Sequence, residues 1–331
     1  MVGSTYLQCR NKMKILRFQP ILKQNLWGGD RIAPFKQAAC QTPNIGESWE
    51  LSGVPGNETG CISMEGTPVN ALVAEYKERL LGKAHYERFG NEFPLLIKFI
   101  DAQSDLSIQV HPDDATALRQ GKPRGKTEMW YLMHSAPDAQ LYCGLSRHIT
   151  PEQYRAIVEE GTLCDALARY PVKEGDVFFL PAGRIHSIGA GCFLVEVQQT
   201  CDVTYRIYDY KRKDKDGHYR QLHTEEAAEA IDYTVYDDYR THYTPCKNQA
   251  VELVSCPYFT TNLYEIDRPT PIGAAAKDTF VILVVLEGEG TITTDGNEQA
   301  RVAAGDTLLI AAENNHLEAD GNIKLLEVHI E

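Results

Sequence analysis

Gln109-Val110-His111-Pro112, Glu128 and His186 are the residues of this sequence best suited to chemistry. Alternate residues of a strand point to the same face, so Gln109 and His111 share one side. Glu128 follows His111 by 17 residues, and His186 follows Glu128 by 58. Two imidazoles, a carboxylate and an amide oxygen converging in one cavity make an open site for Zn²⁺ or a similar divalent ion. Taken singly, each has an ordinary explanation: a packed histidine or a solvated carboxylate. The metal reading needs a frame that sets them together.

The chain supplies that frame by repeating itself. Gly175-Asp176-Val177-Phe178-Phe179-Leu180-Pro181 leads to His186, and Leu194-Val195-Glu196-Val197 follows. Near the C-terminus Gly305-Asp306-Thr307-Leu308-Leu309-Ile310 leads to His316, followed by Leu325-Leu326-Glu327-Val328. The glycine-to-histidine distance is 11 residues in both copies. Lys126-Thr127-Glu128 ahead of Met129-Trp130-Tyr131-Leu132 aligns in turn with Lys277-Asp278-Thr279 ahead of Phe280-Val281-Ile282-Leu283. Two strand-turn-strand units closed by Gly-Asp turns indicate two related β domains. The Gly-Asp, apolar run, then His pattern resembles the second half of a cupin motif. The expected fold is therefore mainly β: two cupin jelly-roll β-barrels with helical insertions.

The copies diverge where a metal would be held. In this alignment Thr279 stands for Glu128, and Asn262 lies 17 residues before it. The second barrel keeps only His316, read as a remnant or surface histidine. The first copy is also 21 residues longer between ligand positions, about the length of 150–170. Thr150 suits an N-cap and Pro151 the N1 position, while Ile157, Leu163 and Leu167 are near helical spacing. A helical insertion beside the metal site is expected there. A second is expected at about 68–92, with Gly82 as a break, and Thr224 can cap a short helix. The domains are thus an extension at 1–13, a catalytic cupin domain at 14–240 and a C-terminal cupin domain at 241–331 lacking metal ligands.

Composition narrows the function. A chain of 331 residues suits about two domains at ~150 residues each. A net charge of −13 argues against broad nucleic-acid or anionic-membrane partners. No apolar run approaches the ~18 residues of a membrane span, and no secretory apolar segment opens the chain. Nine cysteines without a C-x-x-C pair indicate neither a disulfide framework nor a thiolate metal site, so cytoplasmic, reduced thiols are expected. No phosphate-cradling glycine loop or dinucleotide fingerprint is present.

An anion could still bind where cations gather. Lys126, two residues before Glu128, shares the metal-facing side of an extended strand. Lys98 lies inside the apolar run Pro94-Leu95-Leu96-Ile97-Lys98-Phe99-Ile100, where it requires a carboxylate partner or a ligand. Arg206 follows Cys201-Asp202-Val203-Thr204-Tyr205, and on position alone a surface salt bridge is the favoured reading. The run from Lys211 to Gly217 is read as a solvated charged turn.

Four segments together resemble the short bacterial type I mannose-6-phosphate isomerases. They are Gln109-Val110-His111-Pro112-Asp113-Asp114, Gly125-Lys126-Thr127-Glu128-Met129-Trp130-Tyr131, 181–189 around His186, and Thr204-Tyr205-Arg206-Ile207-Tyr208-Asp209-Tyr210. Asn25-Leu26-Trp27-Gly28-Gly29 and Gly46-Glu47-Ser48-Trp49-Glu50 agree. The matches run in order from about residue 14 to 215. The resemblance implies a zinc-dependent aldose-ketose isomerase with one Zn²⁺ per chain on Gln109, His111, Glu128 and His186, and Arg206 at the active-site position. Lys126 joins Arg206 in the catalytic set, and Lys98, Asp202 and Glu50 form the expected substrate-binding set. The partner is a phosphorylated hexose, and the chain is expected as a monomer or weak homodimer.

Interconverting mannose 6-phosphate and fructose 6-phosphate moves a proton between C2 and C1 through an enediol(ate). A metal held by one carboxylate and neutral ligands keeps net positive charge and can polarise a sugar oxygen. Lys126 and Arg206 can stabilise the enediolate or hold the phosphate. The base stays open among Lys126 with a depressed pKa, a carboxylate such as Glu50, and hydroxide on the metal. Two other classes share this frame: a metal-dependent cupin dioxygenase and a non-catalytic sugar-binding cupin. The cations near the ligands favour the isomerase.

Overall fold

Strands buried on both faces organise the molecule. In Leu95–Asp101, Leu95, Ile97 and Phe99 face one core while Lys98 and Ile100 face another. Glu128–Ser135 and Cys192–Gln199 repeat this alternation: Met129, Tyr131, Val195 and Val197 on one side, Trp130, Leu132 and Leu194 on the other. Only a sheet covered on both sides gives such continuous burial. The computed structural model describes residues 13, 15–38, 42–213 and 216–331. Residues 1–12 of the expected extension, and Asp214 and Lys215 of the charged turn, lie outside the described residues.

Among the described residues the strands form three principal sheets. A seven-stranded sheet runs Arg240–Thr241, Val177–Leu180, Glu128–Ser135, Cys192–Gln199, Leu95–Asp101, Ile45–Ser52, Ile21–Gly29. A five-stranded sheet runs Leu167–Pro171, Gln140–Leu145, His186–Ile188, Ile108–Val110, Tyr205–Tyr208. Their facing sides enclose Trp130, Phe178, Leu194, Leu141, Cys143 and Ile188. The third, ten-stranded sheet carries the C-terminal cupin unit around Tyr264, Val281, Leu283, Val285 and Leu325. One shared core joins the units, with Phe99, Tyr131 and Val195 on one side and Phe280, Ile282 and Val328 on the other. Leu16–Gln19, from the start of the chain, pairs with Thr307–Ile310 near its end. Met13 is buried in that shared core.

The internal repeat is visible bond by bond. In one copy the Lys173 N–H donates to Asp176 Oδ2 at 3.0 Å; in the other the Ala303 N–H donates to Asp306 Oδ2 at 2.9 Å. Gly175 and Gly305 both adopt positive φ, +83° and +92°. Each glycine N–H reaches the carbonyl of a strand residue, Leu132 or Val285, at 2.9 Å. That equivalence corrects the sequence alignment by two residues. Leu180 pairs with Glu128, and its counterpart Ile310 pairs with Val281, so Val281 rather than Thr279 occupies the Glu128 position. A slip of two leaves every side chain on its original face, so a pattern of alternation cannot detect it. Val281 is buried and apolar, and His316 is exposed.

The helices fall mostly where expected, with one shortened. Val69–Tyr76, Glu78–Leu81 and Lys83–Phe89 occupy the first segment, with Gly82 at φ +92° between the last two. Pro151–Glu160 starts on a capping box in which Thr150 accepts from the Gln153 N–H and Gln153 returns a bond to the Thr150 N–H. Gly161 stops it in the left-handed conformation, so Leu163 falls in a 3₁₀ turn and Leu167 starts the edge strand Leu167–Pro171. The helix packs with Thr224–Ala230 over Ile108, Val110 and Ile207. Those residues face away from Gln109 and Arg206, so the insertion backs the sheet instead of covering the metal side. Thr224 is the first helical residue and caps nothing; the cap position is His223.

Candidate active site

His111, Glu128 and His186 come from three strands or strand ends, and their ligand atoms lie within 4.8 Å of one another. His186 pairs directly with Gln109, and Gln109 on its other side pairs with Arg206. His111 ends its strand because Pro112 and Asp113 turn the chain into the helix Asp114–Arg119, which Asp113 caps by accepting from the Thr116 N–H at 2.6 Å. Gly125 then passes close by: a Cβ there would lie 2.5 Å from the Asp113 carbonyl carbon. The Lys126 N–H donates to the Pro112 carbonyl at 3.0 Å, which fixes Lys126-Thr127-Glu128 beside His111.

The protonation pattern is that of a ligand set. His111 Nδ1 lies 2.8 Å from the Val203 carbonyl, and His186 Nδ1 lies 2.8 Å from the Arg184 carbonyl. A carbonyl only accepts, so each Nδ1 carries the hydrogen and each Nε2 turns a lone pair inward. His111 Nε2 is 3.5 Å from Glu128 Oε2, and His186 Nε2 is 3.3 Å from Glu128 Oε1. Burial, then Lys126 and His186, hold His111 well below its ordinary pKa; burial takes His186 down to about 4. Both rings are neutral donors at pH 7. Both Glu128 oxygens and His111 Nε2 are buried without a hydrogen-bond partner among the described residues. Lys126 Nζ lies 3.0 Å from Glu128 Oε2 but outside hydrogen-bond direction. Buried polar atoms left this way are costly, and a divalent cation would satisfy all three. Gln109 Nε2 is placed 3.3 Å from His186 Nε2, and a half-turn of the amide presents its oxygen instead. The residues fit a metal.

Next to this cluster is a cavity of about 140 Å³ lined by Trp27, Glu47, Lys98, Gln109, Lys126 and Arg206, among others. Lys98 Nζ donates to Glu196 Oε1 at 2.8 Å, and Trp130 Nε1 donates to Glu196 Oε2 at 2.9 Å. Burial would raise Glu196, but Lys98 and Lys126 hold it well down, to about 2. Burial opposes the charge on Lys126, yet Glu128 and Glu196 raise its pKa. Glu128 itself is raised, by burial first and then by Glu196. Lys126 is thus cationic.

Two expected residues are not brought to the cavity. Alternation puts Glu50 on the face opposite Glu47 and Trp49, where it accepts from Lys36 Nζ at 2.7 Å and Ser48 Oγ at 2.5 Å, and a bulge between Trp49 and Leu51 brings Leu51 to that same face. Glu47 and Trp49 take the inward face instead, joined by Trp49 Nε1 donating to Glu47 Oε2 at 2.5 Å. Asp202 is exposed and does not line the cavity. The sequence reading also passed over Glu47, Trp27, Ser107 and Arg220, which line it. Glu47 and Trp27 sat within quoted motifs, but residue type alone does not say which face of its strand each takes. Arg212, read as part of a solvated turn, is anchored to Asp209 at 2.5 Å.

Comparison with known proteins decides the family. The chain is 32% identical to the mannose-6-phosphate isomerase of Streptococcus mutans over 95% of its own length and 98% of that protein. The chain belongs to the type I mannose-6-phosphate isomerase family. The family's catalytic-domain model (phosphomannose isomerase type I) matches residues 15–137, and the mannose-6-phosphate isomerase cupin-domain model matches residues 249–330. Mannose-6-phosphate isomerase ManA of Bacillus subtilis is 30% identical over 95% of this chain and 98% of its own. A crystal structure of the mannose 6-phosphate isomerase from Bacillus subtilis superposes with a TM-score of 0.86 at 27% identity, covering 96% of this chain and all of that one. The mainly β, double-cupin architecture is therefore that of the mannose-6-phosphate isomerases. Among the described residues no helix is long and apolar enough to cross a membrane.

Proposed function

We propose that this site interconverts mannose 6-phosphate and fructose 6-phosphate by proton transfer through a cis-enediol(ate). The observation that carries the reading is a buried His111–Glu128–His186 cluster with unsatisfied ligand atoms, opening on a cavity lined by Lys98, Lys126 and Arg206. Gln109, His111, Glu128 and His186 would hold one Zn²⁺, as neutral N/O donors with a single carboxylate suit that ion. When bound, the ion supplies positive charge that polarises the sugar oxygens at C1 and C2. Lys126, held cationic, stabilises negative charge as it grows on those oxygens. Arg206 keeps its charge at any working pH and clamps the anionic end of the substrate. Lys98, tied to Glu196, orients hydroxyls along the wall.

The chain's own carboxylates narrow the proton carrier. Glu50 is taken by Lys36 on the far face, and Lys126 is engaged by the ligand carboxylate of Glu128 at 3.0 Å. Glu47 is the wall carboxylate with one oxygen, Oε1, left by its bond to Trp49. It can take the proton from one carbon and return it to the other. A phosphorylated hexose as partner and a cytoplasmic, monomeric or weakly dimeric enzyme complete this reading. A coupled assay with mannose 6-phosphate, before and after chelation and zinc return, tests it. Turnover that is absent with metal present, or indifferent to chelation, would overturn it.

A further inference from the structure

Arg206 and Arg220 both line the cavity, but they are partnered differently. Arg220 docks edge-on against Asp209, with Nε 2.7 Å from Oδ2 and Nη2 2.5 Å from Oδ1. That geometry occupies one edge of the guanidinium fork and leaves Nη1 on the other. Arg212 Nη2 also donates to Asp209 Oδ1, at 2.5 Å. Arg206 has no carboxylate at ion-pair distance among the described residues. Its Nη1 donates to the Gln221 carbonyl at 3.2 Å, and its Nε is buried without an acceptor.

Charge bookkeeping makes this arrangement specific. Lys98 and Lys126 each face a glutamate of their own, Glu196 and Glu128. Arg212 and Arg220 pair with the single buried carboxylate of Asp209, and Arg206 has none of its own among the described residues. Asp105, Asp202 and Lys211 nearby are exposed and screened by solvent. With Glu47 also on the wall, five cations face four carboxylates, so one positive charge is in surplus beside the cavity, in a chain whose net charge is −13. A phosphate monoester carries roughly −1.5 to −2 charges at pH 7.

We infer that Arg220 joins Arg206 in binding the phosphate of the substrate, and that Asp209 is the positioning residue that aims Arg220 into the cavity. This rests on the isomerase reading only for what carries the phosphate. Charge-assisted bonds to phosphate are directional, so a guanidinium whose second edge is already fixed gives up less freedom on binding.

The test compares metal-loaded wild type with Arg220→Met, Arg220→Lys, Asp209→Asn and, as a control for charge alone, Arg155→Met on the exposed Arg155–Glu225 pair. Arg220→Met should raise KM for mannose 6-phosphate about 10- to 100-fold while kcat changes by less than about threefold. Competitive inhibition by inorganic phosphate should weaken in parallel. Asp209→Asn should move KM in the same direction by less, and Arg155→Met should leave both constants in place. Arg220→Lys guards against misfolding: it keeps the charge, loses the fork and should still weaken phosphate. Inorganic phosphate titrated calorimetrically reads the same contact without turnover. Tighter binding to wild type than to Arg220→Met supports the assignment even if mannose 6-phosphate proves not to be the substrate. Equal phosphate binding and KM values within about twofold in both Arg220 variants would overturn it while leaving the isomerase reading intact.

Discussion

Arg206 stands across from Gln109 in strand register, one strand beyond the pairing of Gln109 with His186. Neighbouring strands lie ~4.8 Å apart, so the row sets the guanidinium backbone about two strand spacings from the histidine ligand. A sugar phosphate spanning that interval can present its reacting carbons to one end and its charge to the other. Arg206→Lys keeps the charge but not the fork. Its kcat/KM for mannose 6-phosphate should fall about 10- to 100-fold with metal content unchanged by elemental analysis. Near-normal turnover would reduce Arg206 to a structural role.

One divalent ion per chain is expected, bound in the first barrel. His111→Ala, Glu128→Ala and His186→Ala should each lose it on dialysis, because each removes one donor from a set of four. His316→Ala should not, since His316 is exposed and Val281 occupies the place equivalent to Glu128. Two tightly held ions in fully loaded protein would contradict this.

How much of this was legible in the sequence depended on the kind of information each residue carries. The Gly-Asp turns were readable because their chemistry is local: a positive φ at Gly175 and Gly305 and an aspartate closing the same bond three residues back. His111, Glu128 and His186 were readable because the repeat and the family motifs placed them. Glu50 was misplaced because, three residues from Glu47, it takes the opposite face, and the bulge that sets Leu51 beside it, where alternation would put Leu51 across the strand, leaves no mark on residue types. The Thr279 alignment failed for a related reason, since a two-residue slip preserves alternation. Arg220 was invisible because its role comes from a tertiary partner, Asp209, and from a charge count taken in three dimensions. Leu16–Gln19 joining a sheet of the C-terminal unit likewise has no local signature.

The helix Pro151–Glu160 provides a clean stability test. Thr150→Ala removes the cap bond to the Gln153 N–H and should cost about 1 kcal/mol, read as a lowered Tm. Because this helix backs the face of the sheet away from Gln109, kcat and KM should stay within error. A selective loss of activity in a folded Thr150→Ala protein would put the helix at the cavity after all.

Asp209 gives a pH dependence of defined sign. Burial would raise its pKa, but the bonds from Arg220 and Arg212 hold it below the ordinary value of 3.8. The folded state thus binds fewer protons than the unfolded state in that window. Its stabilising contribution is full above 3.8 and is lost as pH falls through the lower folded value. The Tm difference between wild type and Asp209→Asn should therefore shrink as pH is taken from 7 to 3. A difference independent of pH would mean that the carboxylate charge contributes nothing to folding.

The reaction type itself is decided by isotope. Enzyme in heavy water with fructose 6-phosphate should form mannose 6-phosphate carrying some solvent deuterium at C2, because a proton held on the protein can exchange before it returns to carbon. Incorporation should be partial: the cavity is walled by Trp27, Ile100 and Ile188, which limit water around Glu47. Glu47→Gln sharpens the test. It leaves an isosteric side chain that cannot accept the proton, so kcat should fall by about 10²- to 10⁴-fold and exchange should fall with it. Substrate deuterated at the transferred position provides the converse measurement in ordinary water. Gradual washout of label over reversible turnovers fits proton transfer, whereas label fully retained through many turnovers would replace it with a hydride shift and remove Glu47 from the chemistry.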